Sequence, residues 1–525
     1  MSGDRAAVPK GGGAAVALTD WGWRHAGRDS WALRGVTFAI EPGERVLLLG
    51  ASGAGKSTLL HALAGLTGDD NSIAGEQQGG MLVDGEPAAR RPGRVGLVSQ
   101  DPETQLVMAR AGDDAAFGLE NLAVPRERIW PRVHEALAEV GFPYGADRST
   151  AALSGGEKQR LVIAGVLAMG PRLLLLDEPT ANLDPEGALL VRDLLARTAA
   201  RTEATLVLVE HRVADVVDLV DRVIVLAPGG GVLADGAPGH VFAAHGARLA
   251  AQGVWLPDRA PDPEVPPGPG GPVLIEAREC RTRTPVELGA AAGPRHPVLT
   301  GATAAVAAGT ATALTGRNGS GKSTLLMLLA GLARPDSGTV LPCGPLAEVS
   351  GRPLWRWQAR RLARHVGTVF QHAEDQFVTP TVRDELRYAP LRAGMAGPDI
   401  ESWVDELLER LRLTALADVH PFTLSGGEKR RLSVATALSS GPAHAPDVLL
   451  LDEPTFGQDT TTWTELVELL AVLREQGRAI VMATHDSLLL RRFTDTELRI
   501  DQGRVAVPDT AARTGAAPAR KADRR

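Results

Sequence analysis

The fold is decided by the stretch Gly50-Ala51-Ser52-Gly53-Ala54-Gly55-Lys56-Ser57-Thr58, which returns as Gly316-Arg317-Asn318-Gly319-Ser320-Gly321-Lys322-Ser323-Thr324. Both copies have the form G-x-x-x-x-G-K-S. Each stands between an apolar run, predicted as a strand (45–49 and 310–315), and a predicted helix (58–65 and 324–331). Glycines at such a turn let backbone N–H groups surround a phosphate, and the helix N-terminus adds a favourable dipole. The sequence therefore predicts two phosphate-binding loops.

Two further motifs repeat in the same order. They are Leu153-Ser154-Gly155-Gly156-Glu157-Lys158 with Leu424-Ser425-Gly426-Gly427-Glu428-Lys429, and Leu176-Asp177-Glu178-Pro179-Thr180 with Leu451-Asp452-Glu453-Pro454-Thr455. A conserved order of motifs indicates one duplicated module. Each half also contains two apolar runs that are typical of buried parallel strands. They lie at 173–176 and 204–209 in the first half and at 448–451 and 479–483 in the second. Each half is predicted to be α/β, with its polar residues at the carboxyl edge of the sheet.

Composition and charge exclude several other classes of protein. The net charge of −7 does not favour a dedicated nucleic-acid binder, and two cysteines are too few for a disulfide scaffold or a cysteine-built cluster. No apolar run is long enough to span a membrane. We expect a disordered lead-in (1–14), one domain (15–256), a Pro-rich linker (257–272), a second domain (273–507) and a disordered tail (508–525).

The residue types in these motifs predict hydrolysis of a nucleoside triphosphate. A lysine in each loop would reach the β- and γ-phosphates, and the following serine would hold Mg²⁺ (Lys56, Lys322, Ser57, Ser323). At each strand end the aspartate would contact Mg²⁺ and the glutamate would orient or deprotonate water (Asp177, Asp452, Glu178, Glu453). His211 and His485, each after a strand, would bond the γ-phosphate. Each motif also has a plainer interpretation. The loops could be Gly-rich turns without a ligand, the acids could only end their strands, and the histidines could be ordinary surface or core residues.

The Leu-Ser-Gly-Gly-Glu segments complete a pattern that resembles two fused ATP-binding cassettes of the ABC transporter superfamily. The resemblance implies tandem P-loop NTPase folds, each with a mainly parallel core sheet, an antiparallel β subdomain and a helical subdomain. It also implies that the signature of one half completes the site of the other. Ser425 and Gly427 would then serve the Lys56 site, and Ser154 and Gly156 the Lys322 site.

The same resemblance assigns the remaining ligand contacts. Gln100 and Gln371 are assigned to Mg²⁺ and to sensing a transport partner. His25 takes the place of the aromatic residue on which adenine stacks, whereas 275–285 contains no aromatic residue; Arg281 or Arg283 could stack there instead. ATP contacts from the two loops are implied for Gly50, Ser52, Gly53, Gly55, Lys56, Ser57, Thr58, Gly316, Asn318, Gly319, Gly321, Lys322, Ser323 and Thr324.

Local sequence resembles one group of these ATPases more closely. Two segments resemble the ATPases of energy-coupling factor importers, which take up vitamins, cobalt or nickel. They are Gln100-Asp101-Pro102-Glu103-Thr104-Gln105-Leu106 and Ala116-Phe117-Gly118-Leu119-Glu120-Asn121. A fused pair of cassettes resembles the ATPase of importers for thiamine precursors. This implies two partners, a transmembrane coupling protein and a small substrate-binding membrane protein, with no nucleic acid. It also implies a peripheral location at the cytoplasmic face of the membrane.

Two rival functions stay open at this stage. An ATPase of another transporter type, such as an exporter or a sugar importer, would carry the same motifs. A twin-cassette protein acting on ribosomes or nucleic acid is suggested by a basic stretch containing Trp355 and Trp357 (Arg352, Arg356, Arg360, Arg361, Arg364). The spacing of four among these arginines predicts one helix with a solvated basic face.

Overall fold

The computed structural model describes residues 12–51, 53–68, 73–87, 93–181, 183–201, 203–263, 265–283, 297–392, 398–439 and 445–506. The chain divides into two compact units. The first is Met1–Asp262 with Gly457–Thr464, and the second is Pro263–Phe456 with Glu465–Arg525. Of the predicted lead-in, residues 1–11 lie outside the described residues. Gly12 to Ala14 are described, and Ala14 is buried and donates its N–H to the Arg172 carbonyl at 3.2 Å.

The first half of the chain alternates strands with helices. Its strands are β1 (Val16–His25), β2 (Leu33–Ile40), β3 (Arg45–Leu49), β4 (Gly75–Val83), β5 (Val95–Val98), β6 (Leu173–Asp177), β7 (Thr205–Val209), β8 (Arg222–Leu226) and β9 (Val232–Gly236). Its helices are α1 (Lys56–Leu63), α2 (Ala111–Asn121), α3 (Arg126–Glu139), α4 (Gly155–Met169), α5 (Pro185–Arg201), α6 (Val213–Val216) and α7 (Pro238–Ala251).

The core of the first unit is a six-stranded sheet in the order β5-β6-β7-β3-β8-β9. Its strands pair in parallel, except for the antiparallel pair β8–β9. Every residue of β6 and β7 is buried, because apolar side chains cover both faces of a central parallel strand. A separate antiparallel sheet, β2-β1-β4, and the packed helices α2, α3 and α4 complete the unit.

The second half repeats this plan. Its strands are β10 (Val273–Arg283), β11 (Pro297–Ala307), β12 (Ala311–Thr315), β13 (Ser337–Pro342), β14 (Val366–Val369), β15 (Val448–Asp452), β16 (Ala479–Ala483), β17 (Thr496–Asp501) and β18 (Arg504–Ala506). Its helices are α8 (Lys322–Leu329), α9 (Gly344–Val349), α10 (Ala359–His365), α11 (Val382–Arg392), α12 (Pro398–Arg410), α13 (Gly426–Leu438), α14 (Thr460–Glu475) and α15 (Ser487–Arg492).

The sheets of the second unit have the same order as those of the first. The core sheet runs β14-β15-β16-β12-β17-β18, with the antiparallel pair β17–β18 at its edge, and the separate antiparallel sheet is β11-β10-β13. The predicted fold is confirmed, including the parallel cores, the antiparallel sheets and the helical layers. Both phosphate-loop helices begin at the loop lysine, two residues earlier than predicted.

The prediction of one helix across the basic stretch is wrong. Residues Leu354–Arg356 form a 3₁₀ turn, and α10 begins only at Ala359. Pro353 is extended before the turn, and Gln358 is extended before α10, so the helix is interrupted twice. The indole N–H of Trp357 donates to the Arg352 carbonyl at 2.9 Å, and this side chain is buried. The five arginines are exposed, but they do not form one helical face.

The predicted linker, 257–272, contains no helix or strand in its described residues. It is anchored within the second unit, where the buried guanidinium of Arg474 donates to the Pro266 carbonyl and pairs with Asp495. The predicted tail, 508–525, lies outside the described residues. Within the described part of the chain, every helix is either too short or too polar to cross a membrane.

Candidate functional site

The first phosphate loop is shaped by glycines with left-handed backbone. Gly53 and Gly55 have φ of 79° and 86°, and a Cβ on Gly55 would lie only 2.5 Å from Leu33 Cγ. The loop curls around Lys56, whose ammonium group donates to the carbonyls of Gly50 at 3.0 Å and Ala51 at 3.1 Å. This buried cation, at the start of α1, is placed where an anionic phosphate would replace those carbonyl contacts.

The second loop has the same geometry. Gly319 and Gly321 have φ of 77° and 107°. Lys322 donates to the carbonyls of Gly316 at 2.7 Å and Arg317 at 3.1 Å. The predicted ligands Ser57, Thr58, Ser323 and Thr324 stand in the first turn of α1 or α8, as the P-loop pattern requires. The predicted ligand Ser52 lies outside the described residues.

The strand-end acids lie beside these loops. Asp177 ends β6, and its carboxylate bonds the hydroxyl of Ser57; its other oxygen, Oδ1, is buried without a hydrogen-bond partner in the described residues. Burial, together with the neighbouring Glu178, raises the pKa of Asp177 to about 6. A buried carboxylate with an unused oxygen, next to a hydroxyl, fits the oxygen ligands that Mg²⁺ prefers. These residues therefore fit the predicted Mg²⁺ position.

The second unit repeats this arrangement at Asp452, which ends β15. Its carboxylate bonds the Ser323 hydroxyl, and burial raises its pKa. The next residues, Glu178 and Glu453, have φ of 50° and 48°, values that are unusual for a residue with a side chain. Strained backbone of this kind persists where the surroundings fix it, often at functional sites. It turns both glutamates out of the strand direction at the carboxyl edge of each sheet.

The glutamate of the first unit is held by two side chains. Glu178 accepts hydrogen bonds from His211 Nε2 and from Gln100 Nε2, each at 2.8 Å. Burial raises the pKa of Glu178, but the charge and hydrogen bond of His211, together with Lys56 and Gln100, outweigh burial and the pKa is lowered. Burial lowers the pKa of His211, but the charge and hydrogen bond of Glu178, together with the charge of Glu210, outweigh burial and the pKa is raised. The first unit thus brings Gln100, Glu178 and His211 into one hydrogen-bonded group.

The glutamate of the second unit is held differently. His485 Nε2 is 3.9 Å from Glu453 Oε1, but only 3.0 Å from Lys322 Nζ and 3.1 Å from Asn318 Oδ1. Glu453 accepts longer bonds, of 3.4 Å, from Thr484 Oγ1 and the His485 N–H. Burial, then the charge of Asp452, raises the pKa of Glu453 to about 7. The imidazole ring of His485 therefore bonds the phosphate loop rather than Glu453. Gln371 is exposed.

The sequence motifs missed two acids of the first unit. Glu210 is buried, and it accepts bonds from the Thr180 N–H at 3.1 Å and the Thr180 hydroxyl at 2.6 Å; burial raises its pKa to about 7. Asp459 lies in the segment that belongs to the first unit and lines a small cavity with Lys56 and Glu210. The available signals were an acid directly before His211, and the second-half aspartate that follows the Asp-Glu-Pro-Thr motif.

The signature serines lie at helix starts, as predicted. Ser154 and Ser425 cap α4 and α13, and each backbone N–H donates to a glutamate three residues on, at 2.8 and 2.7 Å. This reciprocal capping box satisfies donors that the first turn of a helix leaves free. Both serines are exposed, and Gly156 and Gly427 are half-buried. Both signature serines therefore lie at the surface of their own units.

The predicted adenine position differs between the halves. His25 Nε2 is 3.4 Å from Thr58 Oγ1 of the phosphate loop, and its Nδ1 accepts from the Trp23 indole N–H at 3.4 Å. Burial, then Arg28, lowers the pKa of His25, which favours the neutral ring. In the second unit Arg281 and Arg283 are exposed on β10. The imidazole of the first unit is thus the better candidate for stacking.

A family model described as ABC transporter matches residues 33–181 and matches again at 299–456. The chain belongs to the ABC transporter family. The two matches cover both phosphate loops and both Asp-Glu-Pro-Thr motifs. An ABC ATP-binding cassette binds and hydrolyses ATP, so the chain is an ATPase with two cassettes.

The relatives of the two cassettes extend over nearly the whole chain. The Bacillus subtilis protein named "Putative HMP/thiamine import ATP-binding protein YkoD" is 34% identical over 488 residues, which is 88% of this chain and 85% of that protein. A Methanosarcina acetivorans protein named as an ABC transporter ATP-binding protein is 32% identical, over 93% of this chain and 85% of that protein. A solved complex of archaeal ribosome recycling factor aABCE1 with stalk protein aP1 contains a similar chain, with a TM-score of 0.56, 20% identity and coverage of 93% and 89%. At that identity the likeness shows the fold alone.

Proposed function

We propose that the chain is the ATP-hydrolysing motor of a membrane importer of the energy-coupling factor type. The cargo we favour is a vitamin or its precursor, with a thiamine-related compound first and cobalt or nickel second. The observation that carries this proposal is the similarity to a relative named for HMP/thiamine import, which spans 88% of this chain. The Asp101-Pro102-Glu103-Thr104-Gln105 segment after Gln100 supports the same importer group.

Hydrolysis at each site would follow from the chain's own residues. The loop lysine and backbone N–H groups bind the phosphates, and Glu178 or Glu453 orients and deprotonates the attacking water. His211 or His485 donates to the γ-phosphate and stabilises the charge that develops there. Mg²⁺, held by Ser57, Asp177 and Gln100 or by Ser323, Asp452 and Gln371, would neutralise phosphate charge when bound. Binding of ATP would detach His211 from Glu178, because the Nε2–H of His211 cannot donate fully to both the γ-phosphate and the Glu178 carboxylate.

Each ATP site would be completed by the signature of the other cassette. Ser425 and Gly427 would bind the γ-phosphate held at Lys56, and Ser154 and Gly156 the one held at Lys322. The exposure of both signature serines at their helix starts supports this, because a helix N-terminus favours an anion. The position of Asp459 beside Lys56, within the first unit, also supports a contribution of second-half residues to the first site. Closure on two ATP would then pull the cassettes together.

The partners would be a transmembrane coupling protein and a small substrate-binding membrane protein, with the chain peripheral at the cytoplasmic face. Short cytoplasmic helices of the coupling protein would dock on the segments 100–124 and 371–388. Matching apolar side chains support this docking, because Val107 is 60% exposed and Val378 is 65% exposed. Exposed apolar side chains at equivalent places in both cassettes favour a pair of similar protein contacts.

Changing both Gln100 and Gln371 to Ala is expected to uncouple uptake from hydrolysis. We expect the chain alone to stay in the soluble fraction with low ATPase activity, and to sediment with membranes when its membrane partners are co-expressed. Uptake of labelled thiamine precursor should then fall about tenfold or more in the double variant, while ATP turnover falls less. Equal losses of uptake and hydrolysis would contradict the coupling role of these glutamines.

A further inference from the structure

Helix α13, which begins at the signature of the second cassette, is tied to the loop that carries Gln371. The guanidinium of Arg430 on α13 donates to the Phe370 carbonyl at 2.6 Å, and Phe370 directly precedes Gln371. Arg430 is only 5% exposed. A charged donor on a carbonyl oxygen makes a strong and directional hydrogen bond. The signature helix therefore holds the backbone at the start of this loop.

A second side chain of α13 reaches the same loop. Ser433 donates to Gln376 Oε1, which also accepts from the Phe370 N–H at 3.2 Å. The amide nitrogen of Gln376 donates to the Thr368 carbonyl at 3.0 Å. We call Arg430, Ser433 and Gln376 the loop clamp. The clamp joins α13 to both the entry and the exit of the loop around Gln371.

The first cassette has only part of this arrangement. Gln105 repeats the backbone contacts of Gln376, accepting from the Ser99 N–H at 2.7 Å and donating to the Leu97 carbonyl at 3.0 Å. The places of Arg430 and Ser433 on α4 are taken by Gln159 and Val162. Gln159 is 1% exposed, and both atoms of its amide are without a hydrogen bond in the described residues. Helix α4 thus packs under its loop without polar bonds from these two positions.

The bonds of Arg430 are expected to couple movement of α13 to movement of the Gln371 loop. A buried guanidinium is costly to desolvate, and its hydrogen bonds must stay formed whenever the helix moves. Movement of α13 would therefore displace the backbone of Phe370, and with it Gln371. Movement of α4 would break no hydrogen bond of the Gln159 amide among the described residues. Arg430 also lies near enough to Asp452 and Glu453 for its charge to stabilise their ionised forms.

We propose that Arg430 is a positioning residue for hydrolysis in the second cassette: with Ser433 it fixes the Gln371 loop to the signature helix through buried hydrogen bonds that Gln159 and Val162 do not make in the described part of the first cassette. Both cassettes share a more exposed ion pair between the same two elements, Lys158 with Glu103 and Lys429 with Glu374. The two cassettes are then unequal, because the second couples its signature helix to its glutamine loop more tightly than the first does. The inference depends on ATP hydrolysis by this family and on the predicted role of Gln371, and it stands whether or not the importer proposal holds.

The test is steady-state ATPase activity of the full chain. Arg430→Gln is expected to lower kcat about tenfold and to leave KM for ATP within about twofold, since the phosphate loop is untouched. Arg430→Lys keeps a charged donor and should retain at least about half of the activity. Gln159→Leu is the matched control, and should stay within about twofold of the parent because its amide makes no hydrogen bond among the described residues. Equal losses from Arg430→Gln and Gln159→Leu would overturn the proposal.

A double-mutant cycle separates positioning from general stability. If Arg430 acts through the loop, then Gln371→Ala in the Arg430→Gln background should cost less than about a third of its cost alone. Independent, multiplicative effects would overturn the proposal. Thermal unfolding midpoints and KM for ATP identify variants that fail to fold. Should Arg430→Gln unfold, Ser433→Val replaces it in the cycle, with an expected loss in kcat of about threefold and the same non-additivity.

Discussion

The Glu178→Gln and Glu453→Gln variants are expected to bind ATP as the parent chain does. Each is expected to lower hydrolysis at its own site by about a hundredfold or more, with total turnover falling by that site's share. Each change removes the carboxylate that deprotonates water, while the loop lysine and glycines that bind the phosphates stay in place. ATP affinity and steady-state hydrolysis of each variant check this. The control is Glu139→Gln on helix α3, a glutamate that pairs with Arg201.

The two losses are also expected to differ. Glu178 is already bonded to His211 and Gln100, whereas Glu453 makes only 3.4 Å contacts and its histidine bonds the phosphate loop. Freeing Glu178 from these partners is an extra step, so we expect the second site to account for more of the turnover and Glu453→Gln to be the more severe variant. A loss of ATP affinity as large as the loss of turnover would contradict the assigned role of either glutamate.

The Ser425→Arg variant is expected to abolish nucleotide trapping at the site of Lys56, and Ser154→Arg at the site of Lys322. An arginine at the helix start adds bulk where the γ-phosphate of the opposite cassette would dock, so closure fails although ATP still binds to its own loop. Site-resolved trapping of a photoreactive ATP analogue, followed by cleavage of the chain in the linker, measures this.

The matched control for both changes is Ser149→Arg, because Ser149 is an exposed serine five residues ahead of the signature serine. It should trap nucleotide at both sites. Damage confined to the phosphate loop of the mutated half would contradict the sharing of sites between cassettes. The expected loss at one site is about a hundredfold, because a cradle of hydrogen bonds to the transferring phosphate is removed.

Much of the fold could be predicted because its signals are local. Gly55 and Gly321 need left-handed backbone for the loop to surround its lysine, so their spacing to Lys56 and Lys322 is strict. The runs that end at Asp177 and Asp452 are buried on both faces, as is typical of central parallel strands. Strand ends meet at one edge of such a sheet, which brought the predicted acids beside the loops.

Other features depend on contacts between side chains that are distant in the sequence, and the spacing of residues within a motif does not predict such contacts. The spacing of the arginines predicted one helix, but the chain is extended at Trp357 and Gln358, and the Trp357 side chain is buried there. Likewise, motif spacing places His211 and His485 after equivalent strands without fixing which neighbour each ring contacts. Glu210 before one histidine and Thr484 before the other give the two rings different surroundings.

The most direct test of the importer account is the identity of the proteins that the tagged full chain carries out of its native cell. Cells are crosslinked before lysis, the tagged chain is purified from detergent-solubilised membranes, and mass spectrometry identifies the proteins that are recovered with it. We predict two integral membrane proteins in near-stoichiometric amounts, a larger coupling protein and a small substrate-binding protein, and their loss when Val107 and Val378 are both changed to Asp. Recovery of ribosomes or nucleic acid without an integral membrane protein would contradict the account.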